Sequence, residues 1–301
     1  MEVWREGKGE ALIEKWSDLS KETTMRVGGV VEYLVFPLNL DGFLKWVNEV
    51  NYILGGGSNL IFPDFKLKVT FMSLRKFKSI KDFGDGFVEV SAGVSISEFL
   101  KFCIEKGYSG LEVFSGVPRA TIGGMIFKNA GAYGIEIKDF VEKVLVYDKK
   151  NGELKWILNY KNKAKYRSGD IEGIVLKALL KLKVENSSFV RNLCEKYLNI
   201  RRKTQVLDFP SAGSFYKNPE NSELKAWELI DKAGLRGFRV GDAAVSQKHC
   251  NFIINLGKAR YVDILKLDEI VRNRVREFFG IELEREVDIF ILKNKFLEGV
   301  I

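Results

Sequence analysis

The chain is poor in the residues that build metal and disulfide frameworks. Its 301 residues contain one histidine, His249, and three cysteines, Cys103, Cys194 and Cys250, far apart and without a CxxC pair. So few ligands exclude a disulfide scaffold and a Cys/His zinc centre; the thiols read as reduced packing residues and no metal site is expected. No run approaches the roughly 18 uninterrupted apolar residues of a membrane-spanning helix, and Met1 to Glu10 is too polar for a signal peptide. A cytoplasmic protein without membrane insertion is the expectation. GxGxxG and GxxxxGK[ST] are both missing, which excludes the common dinucleotide fingerprint and the P-loop. No internal repeat of fixed period is present, and nothing in the sequence sets an oligomeric state.

What remains is an ordinary globular mixture, 46% apolar and 29% charged, rich enough in large side chains to bury a core. The length suits about two domains. Lys and Arg number 48 against 40 Asp and Glu, a formal charge of +8. The excess is diffuse and densest from Lys149 to Arg167, where Lys150, Asn151 and Gly152 form a turn between strand-like residues. This reads first as a solvated hairpin. A basic face for nucleic acid is the alternative, but no recognised nucleic-acid module accompanies it. A mild positive field equally suits a small anionic substrate.

Periodicity gives the order of elements. β-branched and aromatic residues from Val30 to Phe36 predict a strand, and the spacing of apolar residues from Leu40 to Val50 predicts a helix. Strands follow at Tyr52 to Leu54, Lys68 to Met72 and Phe87 to Val90. Ser95 and Glu98 fit a capping box for a helix to Lys106, stopped by Gly107. Strands are expected at Val141 to Tyr147, Glu153 to Leu158 and Ile174 to Val184, and a helix from Ser188 to about Arg202. The last hundred residues predict helices at Glu223 to Ala233 and Tyr261 to Phe279, with strands at Phe238 to Val240, Phe252 to Asn255 and Glu286 to Leu292. The whole is α+β, with residues 1–187 as a larger domain split near 75 and 188–301 as a smaller C-terminal α+β lobe.

Two glycine-rich stretches carry the chemistry. Gly55, Gly56 and Gly57 follow a strand; positive φ there lets adjacent amides converge on an anion, and Ser58 and Asn59 add donors. A triple glycine alone reads equally as a structural turn. The second stretch runs through Gly116, Val117, Pro118, Thr121, Ile122, Gly123, Gly124, Asn129, Ala130, Gly131, Ala132, Tyr133 and Gly134, too glycine-rich for an ordinary helix or strand. Small residues of this kind let backbone approach a flat ring and a diphosphate.

With TTMRVGG, LGGGSNL, GVPRATIGG, NAGAYG, YRSG, PSAGSFYKNP, VSQKHCNFIIN and LEREV in order, the chain resembles the short form of the UDP-N-acetylenolpyruvoylglucosamine reductase (MurB) family, from about Thr23 to Ile289. The resemblance implies an FAD-binding domain of the vanillyl-alcohol-oxidase (PCMH) type and a C-terminal substrate lobe. It implies non-covalent FAD held by residues 55–60 (Leu60 included) and 116–134, with NADPH and a UDP-sugar as the small-molecule partners. Reduction of the enolpyruvyl group of UDP-N-acetylglucosamine enolpyruvate to UDP-N-acetylmuramate would follow, in peptidoglycan precursor synthesis and so in cell shape and division. Another FAD-dependent oxidoreductase of the same fold is the alternative; a covalent histidyl link is disfavoured because the flavin-binding half contains no histidine.

The reaction needs a cation near the substrate carboxylate, a proton donor at C2 and an acid to hold the intermediate. The resemblance puts Arg167, Ser214 and Glu286 in these catalytic roles. It puts Tyr166 and His249 on the substrate, and for the diphosphate of such a substrate Lys217 would supply charge and Asn218 a directional amide, with Arg239 as a further candidate. On spacing alone Arg167 reads as a solvated arginine, Ser214 as a local hydrogen-bonder in a glycine turn, Glu286 as a surface charge, and His249 as structural. The chain departs from the family pattern at Arg119, where glycine generally follows the proline, at Lys128, and at Asp242 in place of a second glycine. If position 119 needs positive φ, a relaxed loop or a salt bridge to a phosphate is expected. The interval from Arg167 to Ser214 leaves no room for the substrate-capping loop of the long form.

Overall fold

Helix starts and stops follow the capping chemistry written in the sequence. In the computed structural model, which describes residues 2–6 and 10–290, the seven α-helices of the described residues are α1 Leu40–Trp46, α2 Ile96–Lys106, α3 Ile122–Phe127, α4 Tyr160–Lys163, α5 Ser187–Thr204, α6 Ala226–Lys232 and α7 Tyr261–Phe279. Ser95 Oγ accepts the Glu98 amide at 3.2 Å while Glu98 accepts the Ser95 amide at 2.9 Å, the reciprocal cap expected for α2. Burial raises the Glu98 carboxyl, but hydrogen bonds from Lys78 and Ser95 outweigh it and bring it down to about 2. Gly107 and Gly280 end α2 and α7 with φ of 69° and 68°, conformations that only glycine adopts without strain.

The chain divides into two compact units. Unit 1 comprises Met1–Lys15, Tyr33–Gly56 and Val69–Arg201; unit 2 comprises Trp16–Glu32, Gly57–Lys68 and Arg202–Ile301. One five-stranded sheet runs in the order Glu2–Glu6, Ala11–Asp18, Val30–Pro37, Leu67–Ser73, Tyr52–Leu54. Its last pair is parallel, Tyr52 facing Phe71, so Leu54 delivers the chain into the triple glycine. A second five-stranded sheet, all antiparallel, lies in unit 1: Glu153–Ile157, Val141–Asp148, Ile174–Lys181, Phe87–Ser91, Ile80–Asp82. Alternate residues Val144, Val146, Leu176, Ala178 and Leu180 point into one core with Phe43 of α1, Phe99 of α2 and Ile122 and Ile126 of α3.

Unit 2 has its own core. Residues Ile264, Leu267, Val271 and Val275 recur on one face of α7 and meet Leu229 and Ile230 of α6. Ala243, Val245 and Ile253 join them from the three-stranded sheet Arg239–Val240, Ala243–Val245, Ile253–Asn255. The other face of that sheet presents Ala244 and Ile254 to Val206 and Phe252. Asp288–Ile289 pairs in parallel with Leu60–Ile61.

Three expectations change. The glycine-rich stretch does contain a helix, α3, because Thr121 caps it and because Gly123 must lack a side chain: a Cβ there would come within 2.6 Å of that of Ala92. The strand expected at Ile174 to Val184 breaks into Ile174–Lys181 and Lys183–Val184, the second pairing with Tyr108–Ser109. The strand expected to Leu292 is Asp288–Ile289; residues 291 and 292 lie outside the described residues. The three cysteines are free and buried, and no cluster able to hold a metal occurs among the described residues.

Candidate active site

The three adjacent glycines serve different purposes. Gly57 alone of the three has positive φ, 67°. Gly56 is required for space, since a Cβ would lie 1.7 Å from the Arg119 carbonyl oxygen, and a Cβ on Gly57 would lie 1.9 Å from that of Glu22. Close approach of other segments of the same backbone therefore accounts for Gly56 and Gly57. Gly55 is different: a Cβ would meet Thr121 Oγ1 at 3.2 Å and Gly124 Cα at 3.8 Å, while one on Gly124 would meet only Thr121 Oγ1, at 3.3 Å. Bare backbone thus flanks one hydroxyl in unit 1. Gly134, with φ 82°, has nothing within 4 Å of where its Cβ would be.

The other residues expected on a cofactor divide into those that face outward and those that do not. Val117 and Pro118 lie at least partly exposed beside Gly116, and Gly131, Ala132, Tyr133 and Gly134 are open to solvent in part. Ile122 is fully buried in the core, so only its backbone is available. Asn129 is also fully buried: its Nδ2 donates to Lys165 O at 2.9 Å and to Glu136 at 3.0 Å, and its Oδ1 accepts the Lys138 amide. Its amide is committed to the protein, where it holds a loop rather than a ligand. Asn59, expected on the cofactor, donates to the Glu286 carbonyl at 3.0 Å.

That Asn129 contact fixes the Tyr-Arg motif. Lys165 and Ser168 exchange backbone hydrogen bonds at 2.8 and 3.1 Å, leaving Tyr166 and Arg167 as the tip of a tight turn. Arg167 takes φ 56°, its guanidinium lies 4.7 Å over the Tyr166 ring, and a Cβ on Gly131 would come within 2.9 Å of its Nη1. The arginine is therefore laid along the glycine-rich stretch of unit 1. Sequence reasoning missed Arg201, which is buried on α5 and donates to the carbonyls of Ser115 and Val113 at 2.8 and 2.9 Å. Its guanidinium also lies 5.8 Å from the Tyr133 ring. Val190, Cys194 and Arg201 share the buried stripe of α5, and a charge placed on an apolar stripe is the signal that could have found it.

Unit 2 brings Ser214 and Glu286 onto adjacent stretches of chain. The Glu286 amide donates to Phe215 O at 2.9 Å, Val287 donates to the same oxygen, and the Lys217 amide donates to Glu284 O at 2.9 Å. Both Ser214 and Glu286 are half-buried. Below them Asn251 grips both sides of Tyr216, accepting its amide at 2.9 Å and donating to its carbonyl at 2.8 Å. The buried Tyr216 hydroxyl donates to Asp268 at 2.9 Å, and Arg285 donates to the other oxygen of Asp268. Burial, with the Asp268 charge, pushes the Tyr216 phenol well above its ordinary range. Neither Asn251 nor the Asp268–Arg285 pair was foreseen, although Asp268 stands on the apolar face of α7.

The remaining substrate candidates are already engaged within unit 2. Lys217 pairs with Glu284 at 2.5 Å, and Asn218 accepts the Ala226 amide at the start of α6. Arg239 pairs with Asp242, which also accepts the Lys258 amide, so the acid standing where glycine was expected has a structural task. Arg239 and Lys248 line a cleft of about 370 Å³ with Val206, Phe209 and Ile254, which neither Ser214 nor Glu286 lines. His249 packs at an angle between Trp227 and Phe252, edge-on to the latter, and burial holds its imidazole below the ordinary range, assisted by the Arg236 charge.

Residues 43–158 match the family profile of an FAD binding domain, and residues 205–290 match that of the UDP-N-acetylenolpyruvoylglucosamine reductase C-terminal domain. A UDP-N-acetylenolpyruvoylglucosamine reductase of Thermotoga sp. (strain RQ2) is 34% identical over 285 residues, 92% of this chain and 93% of its own. One from Pseudothermotoga lettingae is 36% identical over 278 residues, 90% of this chain and 95% of its own. The crystal structure of the enzyme of that name from Thermus caldophilus superposes with a TM-score of 0.78 at 31% identity, covering 93% of this chain and 99% of that one.

Proposed function

The chain belongs to the UDP-N-acetylenolpyruvoylglucosamine reductase family, and from that premise we propose a division of labour among its residues. The protein is an FAD-dependent oxidoreductase. With NADPH as reductant it reduces the enolpyruvyl group of UDP-N-acetylglucosamine enolpyruvate to UDP-N-acetylmuramate in peptidoglycan synthesis. The residues of unit 1 fit the cofactor: Gly55 and Gly124 leave bare backbone beside the Thr121 hydroxyl, and Gly134 leaves open space where a side chain would stand. When bound, FAD supplies the hydride relay between NADPH and the enolpyruvyl carbon.

Arg167 binds the substrate carboxylate. Once hydride has arrived at C3, negative charge develops at C2 and on that carboxylate, and a guanidinium fork stabilises it without needing to change protonation. Ser214 gives its hydroxyl proton to C2; so weak an acid donates usefully only to a strongly basic carbon, which is the species formed. Glu286 orients the intermediate and assists that proton transfer. Tyr166, Lys217, Asn218, Arg239 and His249 bind the UDP-sugar, with Lys217 exchanging Glu284 for a phosphate oxygen. The work is cytoplasmic and feeds cell shape and division.

One observation carries this reading: Phe215 O accepts from Glu286, so the hydroxyl next to Phe215 and the carboxylate keep a fixed backbone spacing. The test separates the half-reactions. Ser214→Ala should leave bleaching of the yellow protein by NADPH intact and slow its recolouring by the enolpyruvyl sugar nucleotide roughly 10²-fold or more. Equal loss in both half-reactions would make the serine structural. Bleaching of the unsubstituted protein without any recolouring would favour another flavin oxidoreductase of this fold.

A further inference from the structure

Gly56 is flanked by a residue whose shape and conformation are at odds. Arg119 carries a long side chain yet takes φ 56°, a region that L-residues with side chains seldom occupy. Its neighbours hold it there. Ala120 O accepts the Ile96 amide at 2.9 Å, Ile122 donates to Val94 O at 2.9 Å, and Gly123 donates to Ala92 O at 2.9 Å, so the chain beyond Arg119 is tied to the entry of α2. From that anchored position Arg119 grips Gly56 twice. Its carbonyl oxygen fills the space a Cβ on Gly56 would need, and its guanidinium Nε donates back to Gly56 O at 3.1 Å. Neither a relaxed loop nor a phosphate contact is needed to explain the residue.

We propose that Arg119 is a positioning residue for FAD: it orients the peptide group after Gly56 through the Gly56 carbonyl, and what matters is its hydrogen bond rather than its charge. The inference rests on the reading that the loop of residues 55–57 holds FAD. A trans peptide is planar, with C=O and N–H pointing opposite ways. Pulling the Gly56 oxygen toward Nε therefore turns the following N–H to the other side of the loop, where a cofactor oxygen can accept it. The guanidinium offsets the disfavoured φ by fixing a donor that a freely turning glycine peptide would not hold.

Glutamine separates hydrogen bond from charge, because its Nε2 stands the same number of bonds from Cα as the arginine Nε. Apoprotein is titrated with FAD, and quenching of flavin fluorescence gives Kd at low and high salt; far-UV circular dichroism of each apoprotein checks folding. Arg119→Gly should weaken FAD binding about tenfold. Arg119→Gln should stay within about threefold of the unsubstituted protein, with the same salt dependence and the same flavin absorption spectrum. Arg119→Gln as weak as Arg119→Gly, with a flatter salt dependence than the unsubstituted protein, would overturn the proposal in favour of a phosphate contact. Unchanged Kd in Arg119→Gly would overturn it outright. Should Arg119→Gly fail to fold, the Arg119→Gln comparison decides alone. No binding by the unsubstituted apoprotein would instead remove the FAD reading on which the inference rests.

Discussion

The glycine-rich residues of unit 1 and the stretches of unit 2 that carry Ser214 and Glu286 are held by opposite means. In unit 1 the work is done by backbone: glycines that admit another chain, left-handed turns at Arg119, Tyr133 and Arg167, and carbonyls gripped by Asn129 and Arg201. In unit 2 it is done by side chains, with Tyr216, Asp268 and Asn251 buried and Arg285 partly buried beneath the half-buried Ser214 and Glu286. A ligand that lies flat against backbone requires the absence of side chains. A proton donor and an acid require two side chains at a set separation. The two kinds of site should therefore fail differently.

The largest expected difference comes from the buried charge. Asp268 is 1% exposed and about a third of the Arg285 side chain meets solvent. Asp268→Ala strands the arginine and leaves the Tyr216 hydroxyl only the backbone carbonyl of residue 268, at 3.3 Å, and the usual cost of breaking a buried pair scales down for the arginine's exposure to about 2–3 kcal/mol. Urea unfolding followed by tryptophan fluorescence should show the loss. Next comes Gly56→Ala, which forces Arg119 O and the new methyl apart and should cost about 1–3 kcal/mol, with flavin lost on gel filtration. Gly134→Ala should be milder, about 1 kcal/mol, because nothing within 4 Å meets the added methyl and only the φ of 82° opposes it. Equal effects in Gly56→Ala and Gly134→Ala would break the distinction between glycines needed for space and those needed for conformation.

The smallest effect tests unit 2 by pH. His249 is the only histidine, and burial lowers its pKa in the folded protein. Between its folded pKa and the unfolded value of about 6.5 the unfolded chain binds a proton that the folded one refuses. Stability should thus be full above about pH 6.5 and fall as the pH drops below it, levelling off once the folded imidazole titrates. The urea midpoint from pH 7.5 to 5 should show this slope, and His249→Gln should flatten it. A slope that survives the substitution would show that other groups carry it.

Local chemistry was legible in the sequence and distant chemistry was not. The cap of α2, the stops at Gly107 and Gly280 and most strands follow from neighbours within a few residues. Ser214 and Glu286 were visible through family motifs, and their adjacency through Phe215 O answers to a pairing across some seventy residues that no local pattern encodes. Asn129 and Asn59 were read as cofactor ligands because polar residues inside glycine runs invite that reading; both spend their amides on carbonyls of this chain. Asp268 and Arg201 were passed over, although each interrupts an apolar helix face.

The Phe215 carbonyl, accepting from Glu286 and Val287 together, acts as a shared datum for Ser214 and Glu286. Reach between them is then a length measured in methylenes, adjustable without disturbing the main chain. Shortening residue 286 from glutamate to aspartate withdraws the carboxylate by a single carbon while lowering its intrinsic pKa only from about 4.3 to about 3.9, so the change acts mainly on geometry.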